Sequence, residues 1–350
     1  MGLNVGLITT WAQRCGIASY SANLANALAK QDVNVYIIRI PRFGYKDPAV
    51  FQNIVDSIPL DKIDLISCQH EYGLYSGLDR GLFSSLKRLG KPLVTTLHAV
   101  GNYDVDNLIL EASDRVIVHN DYCHKRLWYN KKATVIPHGM TPMLTPPPPK
   151  EECKKRVGIQ PNTQIVGYLG FISSYKGLET LIEAMTKIPN VGLLIGGGWF
   201  IEAEPQYIVD LKEKSLNKLP NRVQWLGFIP DEDLNMVYGA MDIIVYPSIT
   251  MTESGALLTA LSYGKAVITR NLPPTREKAK HGALMLFNNA DDLARKIKHL
   301  LKDNDHRLIL EEGAKKYSQE NSWANIALRH IQLYQEVLSL RSEGDLPKTQ

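Results

Sequence analysis

Short β-branched runs alternate with amphipathic stretches along the whole chain. Asn4–Ile8, Asn34–Ile40, Asp64–Cys68, Leu93–His98, Arg115–His119 and Thr134–Pro137 read as strands. Between the first two, Ala18–Lys30 repeats Tyr20, Leu24, Ala27 and Leu28 at helical spacing. The pattern then restarts with Gln164–Leu169, Gly192–Ile195, Val223–Leu226, Asp242–Tyr246, Ala266–Thr269 and Leu284–Leu286, and a helical region runs from Asp291 to about Leu340. Near-continuous apolar strands separated by helices predict parallel sheets covered on both faces, a doubly wound α/β fold.

The two series are separated by Thr141-Pro-Met-Leu-Thr-Pro-Pro-Pro-Pro-Lys150, whose five prolines predict an extended, stiff linker. A chain of 350 residues divided there makes two domains, 1–150 and 151 onward, each large enough for its own core. Open α/β sheets bind ligands beyond the carboxyl ends of their strands, so the expected active site lies in a cleft faced by both domains.

Composition narrows the function. With 22% charged and 44% hydrophobic residues the chain is globular. A net charge of +4 is too mild to imply nucleic acid. Cys15, Cys68, Cys123 and Cys153 form no C-x-x-C pair and read as reduced thiols, with no disulfide or metal framework. No apolar run approaches the roughly 18 residues of a membrane span, and Met1–Thr9 reads as a first strand, not a leader. The expectation is a cytoplasmic protein. Tyr122–Lys132 mixes basic and aromatic residues, as a solvated helix end or a peripheral contact at the inner membrane surface would, and both readings stay open.

Common nucleotide and hydrolase signatures fail. G-x-G-x-x-G from Gly196 would need glycine where Ile201 stands, and no P-loop, G-x-S-x-G or H-E-x-x-H occurs. Four segments of the second half carry a resemblance instead: Tyr168-Leu-Gly-Phe-Ile-Ser-Ser-Tyr-Lys-Gly177 with its helix; Val223–Leu234 with Ala240–Ser248; Glu253-Ser-Gly-Ala-Leu-Leu-Thr-Ala-Leu-Ser-Tyr-Gly-Lys-Ala-Val-Ile268; and Pro274-Thr-Arg-Glu277. In the first half Cys15-Gly-Ile-Ala-Ser-Tyr20, Gln69-His-Glu-Tyr-Gly73, Thr95-Thr-Leu-His98 and Val135-Ile-Pro-His-Gly139 follow suit. Together they resemble the family-four ("group 1") retaining glycosyltransferases of the GT-B fold, in order and across essentially the whole chain.

The resemblance implies two Rossmann-like domains facing across a cleft: 1–150 joined by a returning last helix, 322–342, on the acceptor side, and 151–321 on the nucleotide-sugar side. It implies a metal-independent hexosyltransferase without cofactor. A UDP- or GDP-linked donor would give its sugar to a glycan, a lipid-linked acceptor or a small-molecule hydroxyl. Rival readings are a GT-B epimerase or phosphorylase, or a degenerate sugar-nucleotide-binding protein.

Without a metal, positive side chains and helix N-termini must stabilise the departing diphosphate. Lys176, between a strand-end loop and a helix, is the expected phosphate ligand; the plain alternative is a solvated lysine. Phe171 stands where many members carry an arginine after the glycine equivalent to Gly170, and Arg14 before Gly16 is the candidate substitute. Gly16 would let backbone approach the diphosphate, or is a turn glycine. Ser254-Gly255-Ala256 opens a helix whose free N–H groups suit phosphate or sugar hydroxyls. The family's paired glutamates are not both present: Glu253 lies two residues from the first position, held by Met251, and Thr259 occupies the second. Ile229 matches a backbone contact to the base. His98, at a strand end, is the expected partner of the donor sugar, His70 and Glu71 candidates for an acceptor pocket, and His138 for hinge or pocket.

Overall fold

The computed structural model describes residues 2–13, 15–41, 48–75, 77–143, 145–198 and 205–344. They form two compact units, one of residues 1–139 with 321–350, the other of residues 140–320. Among the described residues no helix is long and apolar enough to cross a membrane.

In the first unit, strands β1 (Asn4–Thr10), β2 (Asn34–Ile40), β3 (Leu65–His70), β4 (Leu93–Leu97), β5 (Arg115–Val118) and β6 (Ala133–Val135) form one parallel sheet in the order β2-β1-β3-β4-β5-β6. Successive strand residues point to opposite faces, and the core divides accordingly. Leu65, Val94 and Ile117 join one apolar cluster, whereas Ile66, Leu93, Leu97, Val116 and Val118 join the other. Both faces are therefore covered, which is why these strands lack alternation.

The cluster containing Leu65 is completed from the far end of the sequence. Helix Trp323–Ser342 lays Ile326, Ala327, Leu333, Tyr334 and Val337 against Val5, Tyr20 and Leu24. Each large apolar side chain buried this way contributes about 1.5–3 kcal/mol. Polar contacts set the register: the Tyr334 hydroxyl donates to Ser67 Oγ at 3.0 Å, and Arg341 Nη2 lies 2.8 Å from each carboxylate oxygen of Asp114. The predicted C-terminal helical region is three helices, the other two being Ala290–Lys302 and Asn304–Glu320.

The second unit holds β7 (Gln164–Leu169), β8 (Val191–Gly196), β9 (Val223–Gly227), β10 (Ile243–Tyr246), β11 (Val267–Arg270) and β12 (Met285–Phe287), all parallel, in the order β12-β11-β10-β7-β8-β9. Counted within the unit this is 3-2-1-4-5-6 read from its β9 edge, the order of the dinucleotide-binding fold. The strand order reverses between β7 and β10, and the crevice beyond their carboxyl ends is where such sheets hold ligands.

The stiff proline stretch packs on the second unit, and the boundary falls near residue 140 instead of 150. Met143 N donates to Ser262 O at 3.3 Å, Lys150 Nζ to Asp242 Oδ1 at 2.6 Å, and Pro147 packs against Gly239. Fixed extended backbone serves as well for lying on a surface as for spanning a gap. All four cysteines are free thiols and buried.

Candidate functional site

Tyr175, Lys176, Thr250, Met251, Thr252 and Glu253 line an open concavity at the β7/β10 switch point of the second unit. Two short connections build it. Beyond β7 the chain turns through a 3₁₀ turn, Ser174–Lys176, into helix Leu178–Thr186. Beyond β10 it runs to Ser254 and helix Gly255–Ser262. Ile249 N donates to Tyr175 O at 2.8 Å, tying the connections together. Gly177, with φ of 65°, makes the approach possible, since a Cβ there would stand 2.6 Å from Pro247 O. Arg270 braces the same corner, donating through Nε to Pro247 O at 3.1 Å and through Nη2 to Thr180 Oγ1 at 2.8 Å. Lys176 and Glu253, far apart in sequence, thus line one surface. The Lys176 ammonium lies 4.6 Å from the centre of the Tyr175 ring.

Glu253 is more deeply engaged than its sequence position suggests. Its Oε1 accepts from Ser254 N at 2.9 Å, and its Oε2 from Lys278 Nζ at 2.9 Å, with side-chain exposures of 8% for Glu253 and 2% for Lys278. Burial alone would pull Lys278 down, but the Glu253 carboxylate outweighs it, with help from Tyr317 and Glu277, and holds the ammonium above the ordinary lysine range. Lys278 is the residue that reading the sequence misses. On helix Pro273–Lys280 it looks like a solvated lysine, and the available signal is its spacing from Pro274 and Thr275, which share its buried face.

The other expected donor-side residues fall around this corner. Ser254 is the N-cap of its helix, its Oγ accepting from Leu257 N at 3.3 Å. Gly255 and Ala256 form the first turn, and Ala256 O accepts from the Tyr246 hydroxyl at 2.7 Å. Thr259 donates its hydroxyl to Gly255 O at 2.9 Å, one turn back on its own helix, so that proton is already committed. Gly170 follows β7 directly and donates its amide to Gly196 O at 3.0 Å. Gly197 must be glycine, since a Cβ there would lie 1.8 Å from Gly170 O. Ile229 packs its side chain beside Gly196. Phe171 is 44% exposed.

In the first unit the strand ends carry a cluster of rings instead of a charged site. His98 Nε2 lies 2.9 Å from Gln69 Oε1 and its Nδ1 3.2 Å from His119 Nε2, while His119 Nδ1 donates to Ile136 O at 3.1 Å. Tyr20 contacts His98, His119, His138 and Trp323 with ring centres 4.6–5.3 Å apart. Burial first, then the neighbouring imidazoles, holds His98 well below the usual histidine range, so the ring is neutral. His138 Nδ1 donates to Gly139 O at 2.6 Å. His70 is fully buried and donates from Nε2 to Asp79 Oδ1 at 2.7 Å, so it is an interior pair and lines no surface; Glu71 instead accepts from Gly73 N at 2.9 Å. Gly16 is the first residue of helix Gly16–Ala29, and a Cβ there would meet nothing among the described residues within 4 Å. Arg14 lies outside the described residues.

Residues 149–317 match the family described as glycosyl transferases group 1. The chain is 27% identical over 194 residues to an uncharacterized glycosyltransferase of Methanocaldococcus jannaschii, covering 53% of this chain and 48% of that protein. It is 26% identical over 219 residues to a D-inositol 3-phosphate glycosyltransferase of Corynebacterium aurimucosum, covering 59% and 51%. The matched stretch spans about half the length of these curated relatives. Among solved structures, sucrose-phosphate synthase of Thermosynechococcus elongatus superposes with a TM-score of 0.78 at 21% identity, over 96% of this chain and 99% of that one. The Anabaena protein HepE in complex with UDP and glucose gives 0.76 at 18% identity, over 95% and 99%. Residues 149–317 are thus similar to the group 1 glycosyl transferases, and the likeness to these solved structures, with two doubly wound units, gives the chain the GT-B fold.

Proposed function

We propose that this protein is a retaining, metal-independent glycosyltransferase that moves a hexose from a nucleoside diphosphate sugar to a hydroxyl acceptor. The observation that carries this reading is the meeting of Lys176, Glu253 and the N-terminus of helix Gly255–Ser262 at the switch point of the second unit. Lys176 and the N–H groups of that helix start would hold the diphosphate and stabilise its charge on departure. Glu253, fixed by Lys278 and Ser254, would accept from donor-sugar hydroxyls. His98, held neutral, would serve as a hydrogen-bonding partner and not as a cation.

In this reaction the bond from the anomeric carbon to the leaving phosphate oxygen breaks. The bond to the acceptor oxygen forms on the same face, and the departing phosphate oxygen takes the acceptor proton. A UDP-linked donor is favoured by the likeness to HepE, whose structure holds UDP and glucose; a GDP-linked donor is the alternative. A glycan, a lipid-linked molecule or a small alcohol could supply the hydroxyl.

Melting the protein with UDP, GDP, ADP and their sugars tests donor choice. Ligand at 100 times its Kd stabilises by roughly 2.7 kcal/mol, a shift of about 5–10 °C in a domain of this size. Product analysis with the stabilising donor and a panel of acceptors then tests transfer. Phe171 and Thr259, at positions where the family resemblance implies a cation and a carboxylate, favour a second reading, donor binding without turnover. Any transfer or donor hydrolysis removes it.

A further inference from the structure

Helices Ala290–Lys302 and Asn304–Glu320 meet at Asp303, and their junction gathers three side chains of metal-ligating type that the proposed reaction does not use. His299 sits in the last turn of the first helix, Asp303 one turn on, and His306 in the first turn of the second. His299 Nε2 lies 2.8 Å from His306 Nδ1 and 3.8 Å from Asp303 Oδ2. One ligand atom from each of the three lies within 4.8 Å of the other two.

The backbone fixes this junction. Asp303 N donates to His299 O at 2.8 Å and Arg307 N to Asp303 O at 3.2 Å. Asp303 Oδ1 accepts from His306 N at 2.9 Å, which leaves Oδ2 as the oxygen toward His299. Arg307 is directed to Asn304 and Glu311. At 2.8 Å the two ring nitrogens share one imidazole N–H, and in the tautomers that carry their protons on the other nitrogens both lone pairs face the same point, where a cation can replace that proton.

We propose that His299, Asp303 and His306 bind a divalent transition-metal ion, zinc foremost, through three side chains with a fourth position left to solvent. Two imidazoles and one carboxylate suit zinc, nickel or copper better than magnesium or calcium. Bonds of about 2.0–2.2 Å place tetrahedral ligand atoms roughly 3.4 Å apart. Small side-chain rotations reach that spacing, and exposures of 47% for His299 and 43% for Asp303 leave room for them.

The fold separates this site from the donor site. Gln164, the first residue of β7, donates from Nε2 to Leu301 O at 3.0 Å, so the junction lies at the amino edge of the sheet. The Lys176–Glu253 concavity is at the carboxyl edge, a six-residue strand away, or about 20 Å. An ion here would clamp two helices together and take no part in transfer.

The test is calorimetric titration of tag-free, metal-stripped protein with zinc chloride, with melting curves alongside. The expected result is one saturable equivalent, and a Tm raised by about 5–10 °C at 100 times the Kd. Binding should weaken at least tenfold in His299→Ala and in His306→Ala, and measurably in Asp303→Asn, which keeps the capping oxygen. Asp305→Asn, an exposed neighbour outside the set, should bind as the parent does. Absence of saturable binding up to millimolar zinc would overturn the proposal. So would unchanged affinity in the His299→Ala/His306→Ala double variant, or an equal loss in Asp305→Asn.

Discussion

Replacing Lys278 by methionine removes an ammonium that is 2% exposed and 2.9 Å from the Glu253 carboxylate, while keeping most of the side-chain volume. Glu253 then stays 8% exposed, with the Ser254 amide but without that counter-charge. Breaking a buried pair from one side costs about 3–5 kcal/mol. At 2–4 °C per kcal/mol for a unit of this size, the Tm should drop by about 6–20 °C. The sign with pH is specific. Lys278 is raised above the ordinary lysine range, so its contribution is complete at neutral pH and fades only as pH climbs through its own alkaline titration. In the variant the carboxylate lacks that partner, burial favours its protonated form, and the deficit should shrink from pH 8 to pH 5. Glu253→Leu/Lys278→Met should recover most of the loss, because an apolar pair of similar volume escapes the desolvation cost. Urea unfolding of the parent, the two single variants and the double at both pH values supplies the cycle. A Lys278→Met loss below 1 kcal/mol, or one identical at pH 5 and pH 8, would refute the argument that this pair is a buried charge couple holding Glu253 in place.

Other outcomes follow from the same geometry. Lys176→Ala should weaken nucleoside diphosphate at least tenfold while leaving nucleoside binding almost unchanged, as calorimetry with both ligands would show; equal losses would remove its phosphate role. Gly177→Ala forces a side chain into a φ of 65° and to within 2.6 Å of Pro247 O, so a loss of about 1–3 kcal/mol and weaker donor binding are expected in melting and titration. His330, fully buried, is pulled down to about 4 by burial, its ring N–H to Ile326 O opposing. Because the unfolded chain takes up that proton first, stability should fall as pH drops below about 6.5, by roughly 3 kcal/mol at pH 4 from this group alone. His98 adds loss of the same sign, and a His330→Phe variant should show a shallower acid slope in denaturant unfolding. Transfer should persist in excess chelator; complete loss restored by a divalent ion would contradict the metal-independent mechanism.

The hydrophobic pattern carried the fold a long way. Runs such as Leu93–His98 and Gln164–Leu169 are too apolar to alternate, and that is the imprint of a sheet with helices on both faces. Lys176 and Glu253 were legible because each flanks a strand end, where α/β sheets concentrate function. What stayed hidden is pairing across elements. Nothing local says that Lys278 reaches back to Glu253, or that Asp79 and not Glu71 takes the His70 imidazole. The proline run misled for a related reason: proline reports local φ but not whether the extended chain is solvated or packed, and here it packs.

The placement of helix Trp323–Ser342 has a consequence for the order in which the protein is made. Residues 140–320 form a contiguous unit whose contacts are complete as soon as that stretch has emerged. The first unit cannot finish, since one of its two apolar layers waits for Ile326, Leu333 and Tyr334, and the Tyr334–Ser67 contact closes over 267 residues. During synthesis Val5, Leu65 and Val94 are therefore only partly covered, by Tyr20, Leu24 and Leu28 of helix Gly16–Ala29, while the later unit is already folded, which reverses the usual N-terminal-first order. Nascent chains arrested before residue 323 should accordingly engage holdase chaperones through their N-terminal half, and moving the last helix ahead of β1 by circular permutation should relieve that exposure.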